Sequence, residues 1–264
     1  MFKAPANLPS IRLFPEYASI VQILIGNSTP TSTGTEPAAL IDAILALFTF
    51  LETSDSLPDS VQTFNETVQR VALLSANTPN ASLRYQAHLV TKSILASHPD
   101  KATRLDYIKD TLKDCPYENL KASAVGWLKE EILAHCNREP VRGADEEPSF
   151  QVSTILASIK SYLFVDPQSM ISEGDFSPFL AHQSYFLALL NLSYLILSSA
   201  VLRTSSGEII ADLKSWLIKL ERVASDIRRI MEAGEKEGQD MIPGLEMDLA
   251  LLEGNIDMIK GRLE

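Results

Sequence analysis

Cysteine is nearly absent: two residues, Cys115 and Cys136, in a chain of 264. That is too few for a disulfide-framed secreted scaffold. Basic charge is in deficit, with 23 Lys and Arg against 34 Asp and Glu, a formal net charge of −11. A surface this acidic is unsuited to nucleic-acid phosphates or an anionic bilayer, and no basic stripe escapes the average. Glycine is scarce at 11 residues, scattered without a G-x-G-x-x-G or G-K-[ST] run, so no phosphate-cradling loop is expected. The four histidines, His88, His98, His135 and His182, form neither H-x-x-x-H nor H-E-x-x-H. His135 and Cys136 are sequence neighbours, which a helix turns about 100° apart, so they do not readily share a metal. No catalytic constellation, cofactor or metal is expected.

The start MFKAPANLPSIRLF lacks a charged head followed by an unbroken apolar run, so no secretory signal is expected. A cytoplasmic location, or a nuclear one, follows as the expectation. FLALLNLSYLILSSAVL, residues 186–202, is apolar enough to suggest a membrane span. Asn191, Ser193, Ser198 and Ser199 interrupt it, and the reading preferred is a helix buried in protein.

What is present is helical periodicity. Hydrophobic residues make up 45% of the chain, and no stretch reads clearly as a strand. Residues 1–36 are irregular, rich in Pro, Ser, Thr and Gly, with a short helix in YASIVQILIG and a loop at NSTPTSTGTEP. Thr35 is placed to cap a helix over 38–52, with Pro37 in its first turn. Asp59 then caps a helix carrying Val61, Phe64, Val68 and Val71. Asn80 caps one carrying Leu83, Ala87, Val90 and Ile94, and Asp100 one carrying Leu105, Ile108 and Leu112. Residues 117–136 follow, with Leu120, Ala124, Leu128 and Ile132 on one face.

Links of a few residues force such helices antiparallel. Taken in pairs they repeat about every 40 residues, the HEAT and armadillo range. The fold expected is therefore all-α, an α-solenoid of HEAT-like repeats over 37–137. A loop or hinge at 138–148 leads to a second, more bundle-like half over 149–264. In that half, helices are expected at 149–164, 178–203, 207–235 and 243–262, with GEKEGQDMIPG as the last turn. Asp145, Glu146 and Glu147 in the loop read as solvated charge.

The segment KDCPYENLKASAVGWLKEEIL, 113–133, joins two of these helices through a Cys-Pro pair. Pro116 cannot continue the first helix but fits the first turn of the next, and Glu118 suits its N-terminal dipole. Cys115 and Cys136 would lie roughly 30 Å apart along the helix, against about 6 Å between disulfide Cα atoms. A structural thiol is preferred for Cys115, with a mixed disulfide to a partner left open. Trp127 and Trp216 read as core, or as recognition anchors, and Gly126 beside Trp127 leaves room for another surface. Arg222, Arg228 and Arg229 are the one compact basic group, placed to pair with nearby acids or to hold an acidic partner.

RLDYIKDTLKDCPYENLKASAVGWLKEEIL, 104–133, resembles the most recognisable block of the fungal Yap-binding protein and glomulin family, in its carboxyl-terminal part. Asp114, Cys115, Pro116, Ala122, Val125, Gly126, Leu128 and Lys129 carry the likeness. The resemblance implies a non-enzymatic helical-repeat scaffold. In the fungal branch its partner is a stress-response transcription factor of the Yap type. In the glomulin branch it is the RING subunit of a cullin-RING ubiquitin ligase, masked sterically. Cys115, Lys121, Trp127, Lys129, Arg228 and Arg229 are the candidate protein-binding residues. The competing class is an enzyme or small-molecule binder with a closed pocket around His182, Tyr185 and Tyr194.

Overall fold

The computed structural model describes residues 11–26, 28–51, 57–136, 152–171, 175–236 and 244–264. Among them the chain is all-α, with helices joined into antiparallel pairs by short links, the helical-repeat architecture expected. It divides into two compact units, Met1–Tyr107 and Ile108–Glu264.

In the first unit a five-residue turn, Leu13–Tyr17, leads into α1 (Ala18–Ile25), then α2 (Ala38–Phe48), α3 (Val61–Asn77) and α4 (Ala81–Ser97). α3 packs along α4, with α1 against α3 and α2 against α4. α3 packs Phe64, Val68, Val71 and Leu74, and α4 packs Ala87 and Ile94, into a core closed to solvent. Asn77 at the end of α3 donates to Pro30 O and Thr33 O, each at 2.9 Å, and so pins the loop before α2. Gly34 in that loop has φ 102, and a Cβ there would meet Asn77 Cβ at 2.9 Å. Only glycine fits both demands.

Helix starts are set by local capping. Asn80 Oδ1 accepts from the Ser82 and Leu83 amides, and Asp100 accepts from those of Ala102 and Thr103, opening α5 (Lys101–Asp114). Two expected caps differ. Ser60 rather than Asp59 caps α3, its hydroxyl accepting from Thr63 N at 3.1 Å, because its extended backbone turns the side chain onto the first turn. Pro37 rather than Thr35 precedes α2, since the Thr35 hydroxyl is used to donate to Ser32 O.

The links share a design that extends beyond the caps. Thr78-Pro79-Asn80 and His98-Pro99-Asp100 each carry a central proline and are each followed by an arginine four residues after the cap. Arg84 donates back to Thr78 O and Pro79 O at 2.9 and 2.7 Å. Arg104 does the same to His98 O and Pro99 O. Each guanidinium thus satisfies the carbonyls that a helix end leaves open.

Asp100 offers a test of this capping. Hydrogen bonds from Thr103 and Ala102 hold its carboxyl below the usual aspartate range. A lowered folded-state pKa contributes stability that is present above the unfolded value and is lost as pH falls through the folded one. Asp100→Ala should therefore cost about 1 kcal/mol near neutral pH. The gap from wild type should narrow below about pH 4, as read by urea unfolding at several pH values.

The second unit holds the rest of α5, α6 (Glu118–Cys136), α7 (Val152–Leu163), a 3-10 turn at Pro167–Met170, α8 (Ser177–Ala181), α9 (Gln183–Ser198), α10 (Ala200–Ser205), α11 (Gly207–Lys236) and α12 (Leu245–Leu263). α9 is its centre, packed by α6 and α12 and touched by α8 and α10. Phe186, Leu189, Leu190, Leu192 and Ile196 of α9 are all closed to solvent. The single helix expected over 178–203 is three helices. The chain bends at His182, and at Ser199 an extended residue (φ −95, ψ 120) turns its hydroxyl to cap α10. No helix among the described residues is long and apolar enough to cross a membrane.

The first helix expected to reach residue 52 ends at Phe48. α6, expected with the first half, packs on α9 in the second unit. The hinge at 138–148, the acidic run Asp145–Glu147, residues 149–151 and most of the turn before α12 lie outside the described residues.

Candidate protein-binding surface

α5 ends at Asp114, and the Cys115 amide still donates to Thr111 O at 3.2 Å. Pro116 then forces the bend, and Tyr117 O accepts from the Leu120 and Lys121 amides to open α6. The Cys115 thiol points back into this turn, donating to Tyr117 O at 3.8 Å. It is half-buried and free, and burial pushes its pKa up. Cys136, exposed and free at the far end of α6, is shifted the same way by burial. Reactive thiols have the opposite shift, from a cationic neighbour or a helix N-terminus.

At the first residue of α6, Glu118 gathers Lys121 and His182. Lys121 Nζ lies 3.1 Å from its Oε1, and His182 Nε2 lies 3.0 Å from its Oε2, at ion-pair distance although off the line of a hydrogen bond. The other ring nitrogen of His182 is 2.7 Å from Pro178 O. Both ring nitrogens therefore lie close to oxygen atoms. This cluster ties the start of α6 to the bend between α8 and α9. The sequence signal for it, Glu118 in the first turn of a helix, was legible; its partner 64 positions on was not.

Further along α6, Lys129 Nζ donates to Asn191 Oδ1 at 3.0 Å, a link to α9. Trp127 is 3% exposed and belongs to the core, so the anchor reading of this residue is corrected. Its neighbour Gly126 keeps open space, with nothing within 4 Å of a Cβ built on it. On α11, Arg228 grips Glu253 of α12 with both Nε and a terminal nitrogen, Nε at 2.9 Å from Oε1. Arg229 pairs with Asp226 at 2.9 Å. Arg228 and Arg229 are thus matched by acids of their own chain. Of the six candidates, Cys115 is held in its own turn, Lys121 by Glu118, Lys129 by Asn191 of α9, and the arginines by residues of α11 and α12.

The three side chains expected around a closed pocket, His182, Tyr185 and Tyr194, each have partners within the chain. Tyr185 is buried, and its hydroxyl donates to Tyr162 O and Leu163 O at 3.0 and 2.8 Å. Tyr194 lies under the Arg262 guanidinium, 5.0 Å from ring centre to Cζ. Open clefts lie elsewhere, between α7 and α11. One of 530 Å³ is lined by Thr154, Ala157, Lys160, Ser205 and Glu208, and Lys160 there is paired with Glu208 at 2.8 Å. Among the described residues no three His, Cys, Asp or Glu side chains come together as metal ligands.

An all-α chain of short-linked helices, with several of its charged side chains paired between its own helices, has the build of a helical-repeat protein-binding scaffold. The chain belongs to the family described as uncharacterised protein family, YAP/Alf4/glomulin, whose family model matches residues 2–260. The likeness seen in 104–133 therefore extends far beyond that block. No curated protein and no solved structure matches the chain.

Proposed function

We propose that the protein is a non-enzymatic adaptor of the cytoplasm or nucleus that holds a stress-response transcription factor of the Yap type by surface complementarity. Membership of the YAP/Alf4/glomulin family over residues 2–260 carries this reading. Recognition in this reading is noncovalent: the Cys115 thiol is half-buried and donates into its own turn, and burial shifts its pKa up, opposite to the shift of a reactive thiol. A regulator that masks a RING subunit in the manner of glomulin is the second reading, and the same quiet thiol suits it, because steric blocking uses no cysteine.

The test is capture of partners by the tagged full chain from its own cells, with and without peroxide, for wild type and Cys115→Ser. A transcription factor captured equally by both forms is the expected result. Capture lost in Cys115→Ser would overturn the noncovalent mechanism. Cullin and RING subunits, indifferent to oxidant, would replace the first reading with the second.

A further inference from the structure

α12 buries Leu245, Leu249, Leu252, Ile256 and Ile259 against its neighbours α9 and α11. Its opposite face is not the polar surface that a peripheral helix normally presents. Met247, Leu251 and Met258 are 72, 52 and 43% exposed. Gly254 and Gly261 lie exposed between and beyond them, with open space around both. These five residues follow at spacings of four, three, four and three, the seam of a two-helix coil. Glycine is among the poorest helix formers, and two on the exposed seam of one helix leave hollows for another helix to fill.

The edge of α12 beside α9 says what fills them. Asp248, through its carbonyl, meets Gln183 of α9, and Arg262 meets Tyr194 of α9, so both lie on this edge. Asn255 stands midway between them, seven residues from each. The edge therefore reads acid, amide, base at equal steps. In an antiparallel pair related by a two-fold axis, like edges face each other. Asp248 then meets Arg262 of the second copy, Arg262 meets its Asp248, and the two Asn255 side chains meet at the axis. In the same register the seam is complementary in size, with Leu251 over Gly261 and Met258 over Gly254 of the second copy. The guanidinium of Arg262 donates to the Tyr194 hydroxyl and lies over its ring, both neutral groups, and in the dimer the Asp248 carboxylate of the second copy supplies a counter-charge.

We propose that the exposed Met247, Leu251, Gly254, Met258 and Gly261 face of α12 is a homodimer interface, in which α12 packs antiparallel on α12 of a second copy. One pair of 19-residue helices covers less than the roughly 1,600 Å² of a standard interface. The dimer is accordingly weak and reversible, with a Kd on the order of micromolar.

Sedimentation velocity of the full chain over a concentration series tests this, with circular dichroism confirming that each variant is folded. Wild type should shift from monomer to dimer with concentration. Asp248→Arg and Arg262→Asp should each weaken dimerisation by about tenfold or more, and the double variant should recover most of that loss. The recovery separates a contact between copies from the loss of Arg262's own contact with Tyr194. Asn255→Cys should cross-link to itself under mild oxidation, beyond any background from Cys115 and Cys136. A wild type that stays monomeric to roughly 100 times the micromolar Kd inferred above overturns the proposal. So does a dimer indifferent to the charge exchange, which lies on another surface.

Discussion

Replacing Trp127 with alanine should lower unfolding stability by about 3–5 kcal/mol. At 3% exposure the indole is enclosed, and Ala124, Val125 and Leu128 around it in α6 are closed to solvent as well. Truncation removes the ring's transfer free energy and leaves a cavity that a helix packed along α9 closes only in part. Against a typical total stability of about 5–15 kcal/mol, such a loss leaves the chain partly unfolded at physiological temperature. Trp127→Phe, which keeps most of the volume, should cost about half as much or less. The alternative role, a surface anchor, makes a different prediction: truncating an exposed side chain changes stability by no more than about 0.5 kcal/mol. Urea denaturation followed by far-UV circular dichroism separates the two, and wild-type stability in Trp127→Ala would sink the core assignment. Loss of partner binding in this variant would report unfolding, so mapping of the binding face belongs on exposed residues such as Arg229.

Trp127 also shows which parts of the molecule were legible beforehand. Helix period put Leu120, Ala124, Leu128 and Ile132 on one face, yet period alone does not say whether a tryptophan beside that stripe points inward. Packing of α6 on α9 decides that. Caps at Asn80 and Asp100 were readable because a cap is made within three residues. The arginines that close the preceding links were equally local. A proline, an Asn or Asp, and an Arg four residues on recur at a twenty-residue offset, a signal that was present and missed. Breaks in the apolar segment at 178–203 were not readable, since its serines recur both inside α9 and at the break, and only the extended backbone at Ser199 marks it as the cap of the next helix. The partners of the candidate cations were hidden for a further reason. Arg228 finds Glu253 across 25 residues, and Lys129 finds Asn191 across 62, distances at which only the fold brings charges together. Likewise the boundary between the compact units falls inside α5, where an unbroken helix leaves no change of composition to mark it.

The second large effect is expected at Phe186, and it concerns the frame that presents the candidate surface. Its ring is fully buried and lies 5.1 Å from Phe179 of α8, 6.0 Å from Trp216 of α11 and 6.3 Å from Tyr185 of α9. His182 stacks on it at 6.1 Å. Phe186→Ala should cost about 3–5 kcal/mol for the cavity, with aromatic pairs worth about 0.5–1.5 kcal/mol each beyond area adding to it. Phe186→Leu should be the milder change, because volume is largely kept and only the ring contacts go. A local readout accompanies the global one. Trp216 donates its indole N–H to Val165 O at 2.9 Å, so loss of the ring beside it should alter the near-UV dichroism assigned to Trp216 in a Trp127→Phe background. The effect should reach the start of α6 as well. His182, stacked on Phe186, is the group that faces Glu118, and Glu118 in turn holds Lys121. Hydrogen exchange at the first turn of α6 should therefore quicken in Phe186→Ala more than in His182→Ala, since the former removes both the stack and the core beneath it. Exchange unchanged there, with stability within about 1 kcal/mol of wild type, would mean that α6 is held by its long contact with α9 alone, and that Phe186 plays no part in positioning it.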